Sequence, residues 1–284
     1  MLTLKERDIL SNPMTVCIGA ICENGKAIVV ASDRMVTFGH PINVQTEPGI
    51  KKIIELTDTS VALISGSVAD GEEIISNSKQ EVLSLPKKNI SDIAQVVRKR
   101  YSELKKFRVQ DTILRPLLGT DFDGFQRLVA GSASSQVLQQ ILGLISQHNL
   151  QLDILIAGSD DTGCHLWLVT HPGQLICLDT LGYTSIGSGN IHANIRLSIG
   201  YQSKNLSITE TLYNVYEAKR EAEIAPGVGK GTDIALIKDS KTVFFDDSFL
   251  NLIEKSHKKK PMLEDSEIKI IKAGWEKYVT TVTK

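Results

Sequence analysis

Two runs of β-branched and aliphatic residues, Thr15 to Cys22 and Lys26 to Ser32, meet at Glu23-Asn24-Gly25. An Asn-Gly pair tolerates the positive φ angles of a tight turn, so this stretch predicts an antiparallel hairpin. A second pair of strand-like runs, Lys51 to Leu56 and Ser60 to Ser65, is joined through Thr57-Asp58-Thr59. Apolar residues then recur at helical spacing over Asp70 to Leu85 and over Ser91 to Lys106, where Ile93, Val96, Val97 and Leu104 share a stripe and Ser91 can cap the start. Residues 107–150 read as an insertion, less regular around Pro116 and Gly119 and helical around Val137, Ile141, Leu144 and Ile145.

The second half repeats the order. Strand-like runs at Leu152 to Ala157, His165 to Thr170 and Leu175 to Leu178 are punctuated by Asp160-Asp161 and His171-Pro172-Gly173. Helical patterns follow near Ile191 to Ile199 and Thr209 to Ala225, and strands return at Asp233 to Ile237 and Val243 to Phe245. A lysine-rich stretch at 255–260 and an amphipathic segment near Glu264 to Val279 close the chain. Strands, helices, strands and helices in this order predict an α+β protein.

Composition narrows the function classes. With 284 residues, of which 42% are hydrophobic, the chain can bury the core of one elaborated domain. A formal net charge of -1 argues against a nucleic-acid surface, which needs clustered cations. No apolar run approaches membrane-spanning length, and Lys5, Glu6, Arg7 and Asp8 break up any signal-peptide core, so a soluble cytoplasmic protein without a membrane partner is expected. Cys17, Cys22, Cys164 and Cys177 lack paired spacing, which suits a reducing compartment. Cys17 and Cys22, five apart, would face opposite sides of one strand.

Four blocks near the start, Thr15-Val-Cys-Ile-Gly-Ala, Ala31-Ser-Asp-Arg-Met-Val-Thr, Ile50-Lys-Lys-Ile-Ile-Glu-Leu and Ile64-Ser-Gly-Ser-Val-Ala-Asp, resemble in order and spacing the opening of proteasome β-type subunits. Leu155-Ile-Ala-Gly-Ser-Asp, Ser185-Ile-Gly-Ser-Gly and Thr232-Asp-Ile-Ala-Leu-Ile extend the resemblance over roughly Thr15 to Ile237. The insertion and Pro226-Gly-Val-Gly are similar to bacterial stand-alone members of that superfamily. The resemblance implies a four-layer αββα sandwich of the N-terminal-nucleophile (Ntn) hydrolase kind. It implies a domain over 15–246, preceded by an extension or propeptide over 1–14 and followed by a helical tail over 247–284.

The chemistry that would follow is amide hydrolysis by Thr15. Its hydroxyl attacks while its own amine takes the proton. A free α-amine has a pKa of about 7.7–8.0 against about 10.4 for lysine, so part of it is already neutral near pH 7. In an intact chain this nitrogen is an amide without basicity, so residues 1–14 must first be removed. Translation from Met14 followed by methionine removal is one route, and self-cleavage after Asn12-Pro13-Met14 is the other.

By resemblance Lys52, rather than Lys51, is the active-site lysine and Asp33 holds it charged. Gly66 is the backbone oxyanion donor, and Ser188 bonds the threonine amine. Val36, Ile50, Ile64 and Val68 match positions lining an apolar substrate pocket. The sequence departs from the pattern at Met35, where an arginine is usual, in two extra residues between Thr15 and Asp33, and in Arg220-Glu221 followed by Gly229-Lys230-Gly231, which lacks the usual serine.

Blander readings stand beside these. Thr15 is also an ordinary strand residue, Lys52 and Asp33 a solvated lysine and a turn acid, Ser188 a helix cap near Asn190, and Cys17 a core thiol. Gly227-Val-Gly-Lys-Gly-Thr has no Ser or Thr directly after Lys230 and leads into a strand, unlike a phosphate loop. The histidines and cysteines form no metal-ligand spacing, so neither metal nor cofactor is expected. The run His257 to Pro261 reads as a solvated linker. Three functions remain open: a threonine peptidase or amidohydrolase in a homo-oligomer or ring, a silent scaffold subunit like the proteasome α type, and a small-molecule amidase.

Overall fold

The structure is a computed structural model that describes residues 15–38, 44–46, 51–131 and 136–257. It divides into two compact units, residues 1–245 and 246–284.

In the first unit β1 (Cys17–Cys22) and β2 (Ala27–Asp33) pair antiparallel through a single helical turn over Glu23–Gly25. Glu23, Asn24 and Gly25 have φ angles of 52°, 55° and 85°, the left-handed region that Asn and Gly tolerate best. Two short strands that periodicity did not reveal, β3 (Val36–Phe38) and β4 (Val44–Thr46), pair with each other. The second hairpin is β5 (Ile53–Thr57) and β6 (Ser60–Gly66).

Helices α1 (Val68–Leu83) and α2 (Ile90–Val109) follow. Ser91 lies inside α2 and does not cap it. The first turn is satisfied from a distance instead, where Ile90 N–H donates to Asp160 Oδ2 at 2.9 Å. The insertion is helical from its outset: a π-type turn at Gln110–Leu114, α3 (Arg115–Leu118), α4 (Phe122–Gly131) and α5 (Gln136–Gln147). Pro116 is the second residue of α3, directly after the π-type turn, and Gly119 ends α3 at φ 63°. These turns enclose a small core of their own around Val109, Leu114, Phe125 and Ile141.

Strands β7 (Leu152–Asp160), β8 (Gly163–Thr170) and β9 (Gln174–Cys177) then extend the β5–β6 hairpin into a five-stranded antiparallel sheet in the order β5-β6-β7-β8-β9. The remaining elements are β10 (Tyr183–Ile186), α6 (Asn190–Ile199), α7 (Ile208–Ala222), β11 (Thr232–Lys238) and β12 (Lys241–Phe244). Their strands complete the other sheet, β10-β1-β2-β11-β12.

Alternate residues of each strand define the layers. Cys17, Ile21, Val30, Leu63, Leu155 and Leu166 meet between the two sheets, whereas Ile64, Ile154, Ile156, Ile74, Ile93 and Val97 fill the space between the second sheet and α1 and α2. Helix α7 packs on β1 and β2 of the first sheet, and α6 lies against α7. The result is an α+β sandwich of two antiparallel sheets covered outside by helix pairs. Gly19 sets the sheet spacing: a Cβ there would stand 3.0 Å from Leu166 Cδ2 and 3.2 Å from Leu155 Cδ2.

Within the second unit, α8 (Asp247–His257) begins under Asp246, whose Oδ1 accepts from Phe249 N–H at 2.9 Å. The amphipathic segment expected near Glu264 to Val279 lies outside the described residues.

Leu155 is wholly buried between the sheets. Leu155→Ala should therefore lower unfolding free energy by about 2–5 kcal/mol, read from urea denaturation with an unchanged slope.

Candidate active site

The register of the two sheets brings five chain segments to one end of the sandwich. Thr15 precedes β1, Asp33 ends β2, Lys52 precedes β5, Ser188 follows β10, and Gly229 precedes β11. In the first sheet Cys17 lies opposite both Ser32 and Ile186, and Thr232 lies opposite Asp33. In the second, Gly66 pairs with Leu152, and Ile64 N–H donates to the Lys52 carbonyl at 3.2 Å.

Asp33 is the hub, with no exposed surface. Its Oδ1 accepts from the Thr15 hydroxyl, from Val16 N–H at 3.0 Å and from Lys52 Nζ at 2.7 Å. Its Oδ2 accepts from Met35 N–H and Gly229 N–H, each at 3.0 Å. Lys52 Nζ also donates to Thr15 Oγ1. A buried carboxylate is stable only when its lone pairs and charge are both matched, and here three backbone amides, one hydroxyl and one ammonium do so. Thr15 and Lys52 are 3% and 6% exposed, so the ion pair and the hydroxyl are screened weakly by water.

The two neighbouring lysines separate cleanly. Lys52 points inward at Thr15, while Lys51 is exposed and stands over the Phe244 ring at 5.2 Å. Both lie just ahead of β5, and the backbone there turns the two side chains apart.

Ser188 sits against the backbone of Thr15. Its hydroxyl accepts from Thr15 N–H at 3.2 Å and has the Thr15 carbonyl at 3.3 Å and the Pro226 carbonyl at 3.2 Å as acceptors. It does not cap α6, whose cap position is Gly189 and carries no side-chain bond. Gly189 N–H also donates to the Thr15 carbonyl at 3.1 Å. Gly187, at φ 95°, must be glycine: a Cβ would fall 2.3 Å from the Thr15 carbonyl oxygen and 2.9 Å from Ser65 Oγ. Gly66, at φ 116°, is equally constrained, since a Cβ there would meet the Gln151 carbonyl oxygen at 1.9 Å.

Of the residues expected to line a pocket, Ile64 is 5% exposed and packs in the core under α1. Val68 is half-buried in the first turn of α1. Val36 lies on β3, and Ile50 falls outside the described residues. Gly227 to Thr232 runs into β11, and Gly229 donates to the carboxylate of Asp33. Among the described residues no group of three or more His, Cys, Asp or Glu is arranged to hold a metal, and no helix is long and apolar enough to cross a membrane.

Sequence reading missed the backbone donors of Val16, Met35 and Gly229, because amides leave no mark in residue identity. It also missed Lys219, fully buried near the end of α7. The available signal was its place on the face that carries Thr211, Val215, Ala218 and Ala222. Glu221, two residues on, is exposed.

Cys17 is also fully buried, and its Sγ donates to the Ile64 carbonyl at 3.4 Å. Burial pushes its thiol up to about 12, against a smaller opposing effect of the Lys52 charge. Cys177 is exposed. Iodoacetamide at pH 8 should therefore alkylate Cys177 in the native protein and spare Cys17, which peptide mass mapping would show.

The sequence model of the family described as Proteasome subunit matches residues 14–112. The chain is also 25% identical over 226 residues to "Proteasome subunit beta 1" of Korarchaeum cryptofilum (strain OPF8), covering 79% of this chain and 88% of that one.

Proposed function

The chain is proteasome-like in sequence and in fold, and from that premise we propose that it is a threonine-type peptidase or amidohydrolase with Thr15 as nucleophile once residues 1–14 are gone. The observation that carries this reading is the contact of one hydroxyl, Thr15 Oγ1, with both the Lys52 ammonium and the Asp33 carboxylate. An alkoxide forming on Thr15 meets a cation already in place, without the cost of reorganising solvent.

The steps follow from these contacts. The liberated amine of Thr15 acts as base for its own hydroxyl. Lys52, held by Asp33, stabilises negative charge on Oγ1 and disfavours a second positive charge on the amine. The hydroxyl of Ser188, now bonded to Thr15 N, orients the amine lone pair. Attack on a substrate carbonyl gives a tetrahedral oxyanion, for which the N–H of Gly66 is the assigned donor. Collapse expels the amine half of the substrate, taking the proton from the Thr15 amine, and leaves an ester on Oγ1. Water, deprotonated by the same amine, then releases the acid and restores the hydroxyl.

By the resemblance, preference for an apolar residue ahead of the cleaved bond belongs to the same reading, with Val36, Ile50 and Val68 as its pocket residues; Ile64 is enclosed in the core under α1 and is withdrawn from that set. Assembly into a homo-oligomer, in the manner of a ring, belongs to the same reading.

The test is intact-mass analysis of native protein with and without a peptide epoxyketone, which bridges the hydroxyl and the free amine of one residue. A species beginning at Thr15 that gains one equivalent of probe is expected. Thr15→Ala should give no adduct, and Lys52→Met should slow adduct formation by roughly 10²–10³-fold, the range seen when one charge-stabilising group is removed. A chain verified to begin at Thr15 that neither reacts with the probe nor cleaves a fluorogenic peptide panel would defeat the proposal.

A further inference from the structure

Lys219 has no exposed surface although it stands in the last turn of α7, beside the half-buried Arg220 and the exposed Glu221. A lysine in that position ordinarily threads its ammonium out to water, because a buried cation loses its hydration. Here the side chain turns inward. Its Nζ donates to Glu223 Oε1 at 2.6 Å and to the Lys230 carbonyl at 2.7 Å.

The second of these contacts is the informative one. Lys230 is the middle of Gly229-Lys230-Gly231, a segment whose two glycines give the backbone wide conformational freedom. The segment touches the active site on both sides of the anchored carbonyl. Gly229 N–H donates to Asp33 Oδ2 at 3.0 Å, and the Gly231 carbonyl accepts from Arg34 N–H at 3.2 Å. A glycine-rich strand entry is thus tied down at the peptide between its two contacts with the Asp33 turn.

We propose that Lys219 is a positioning residue for the reaction at Thr15: it clamps the Gly229–Gly231 segment so that the Gly229 amide holds Asp33 in the rotamer that presents Oδ1 to Thr15 and Lys52. The proposal rests on the reading of Thr15 given above. Asp33 Oδ2 bonds two amides, those of Met35 and Gly229, and Oδ1 carries the contacts with Thr15, Val16 and Lys52. Releasing one amide from Oδ2 frees the carboxylate to rotate, and Oδ1 then leaves the line between hydroxyl and ammonium. The Lys219 charge is also felt at Asp33, which shares the raising influence on the lysine with Glu223, while burial is the larger effect and lowers its pKa. Glu223 keeps the cation paired and is itself held by Arg220 Nη1 at 3.0 Å.

Two variants separate a clamp from plain stabilisation. Lys219→Met removes the clamp and leaves Glu223 without its buried partner. Lys219→Met/Glu223→Gln removes both charges, so that Glu223 is not left part-buried with the Lys219 half of its pairing lost and Arg220 remaining. For each, the measurements on the native protein are Tm, kcat and KM on a fluorogenic peptide, the rate of epoxyketone adduct formation at Thr15, and hydrogen exchange at the Gly229 amide. The expected result is loss of Gly229 protection in both variants and a fall in kcat of about 10²-fold with KM within about twofold, the size of effect produced by misplacing a reacting group. Tm should recover in the double variant while kcat does not. Recovery of kcat together with Tm, or a Gly229 amide that stays protected without Lys219, would overturn the clamp. If the unaltered protein forms no adduct at all, the Thr15 reading falls on that result alone. Exchange at Gly229 then still decides the clamp, lost protection supporting it and retained protection refuting it.

Discussion

The ion pair between Lys52 and Asp33, with the hydroxyl of Thr15 set into it, is the constraint around which this end of the molecule is organised. Neither charge has appreciable contact with water. Burying such a pair returns little net stability, and breaking it by removing one partner costs about 3–5 kcal/mol. A hydrophobic pair of similar size would hold the two sheets together as well or better. What the pair supplies instead is a fixed electric field at one oxygen atom, and the fold supplies the amides that make it tolerable. Val16, Met35 and Gly229 donate from three separate segments. The carboxylate can be satisfied only when β1, β2 and β11 have all docked, so correct assembly of the first sheet and completion of the site are one event.

The second sheet enters through Lys52 and Gly66, which lie at the same end because β5 and β6 form a hairpin whose open end faces the site. Sheet spacing is therefore a chemical parameter here. Gly19 lets Leu155 and Leu166 reach across, and Gly187 lets β10 turn against the carbonyl of Thr15. A side chain at either position would push apart groups that must meet at hydrogen-bonding distance. Packing in the middle of the sandwich and geometry at its end are coupled through the rigidity of close-packed side chains.

How much of this was legible follows from which interactions are local. The hairpin at Asn24-Gly25, the pairing of β5 with β6 and the stripes of α1 and α2 are written in residues a few positions apart, and the sequence reading located them to within a few residues. The expected cap of α2 at Ser91 fails, because the bond to its first amide, Ile90 N–H, comes from Asp160, seventy residues on. Thr15, Asp33, Lys52 and Ser188 stand out through resemblance, and the structure brings Asp33 and Lys52 to the Thr15 hydroxyl and Ser188 to the Thr15 backbone. Lys51 and Lys52 are chemically identical, and only the direction each side chain takes from the backbone ahead of β5 separates them. Lys219 shows the opposite case, a lysine on an apolar helical face whose meaning lies in a carbonyl eleven residues later.

The same geometry bears on how activity would be switched. In a chain that still carries Met14, Thr15 N is an amide, yet it already donates to Ser188, and the hydroxyl already bridges Asp33 and Lys52. Backbone contacts from Gly189 to the Thr15 carbonyl hold the residue from its other side. On the proposed reading, removing the preceding residues leaves these contacts in use, and the hydroxyl proton has only to turn from Asp33 to the new amine. The cut changes one atom from a nitrogen without basicity to an amine whose ordinary pKa is about 7.7–8.0. Ser188, which accepts from the amide, can go on accepting from an N–H of the amine, leaving the single amine lone pair free for the proton of the Thr15 hydroxyl. On the proposed reading the intact chain is a complete electrostatic cradle lacking only its base, and the control of activity resides in a covalent cut instead of a conformational change.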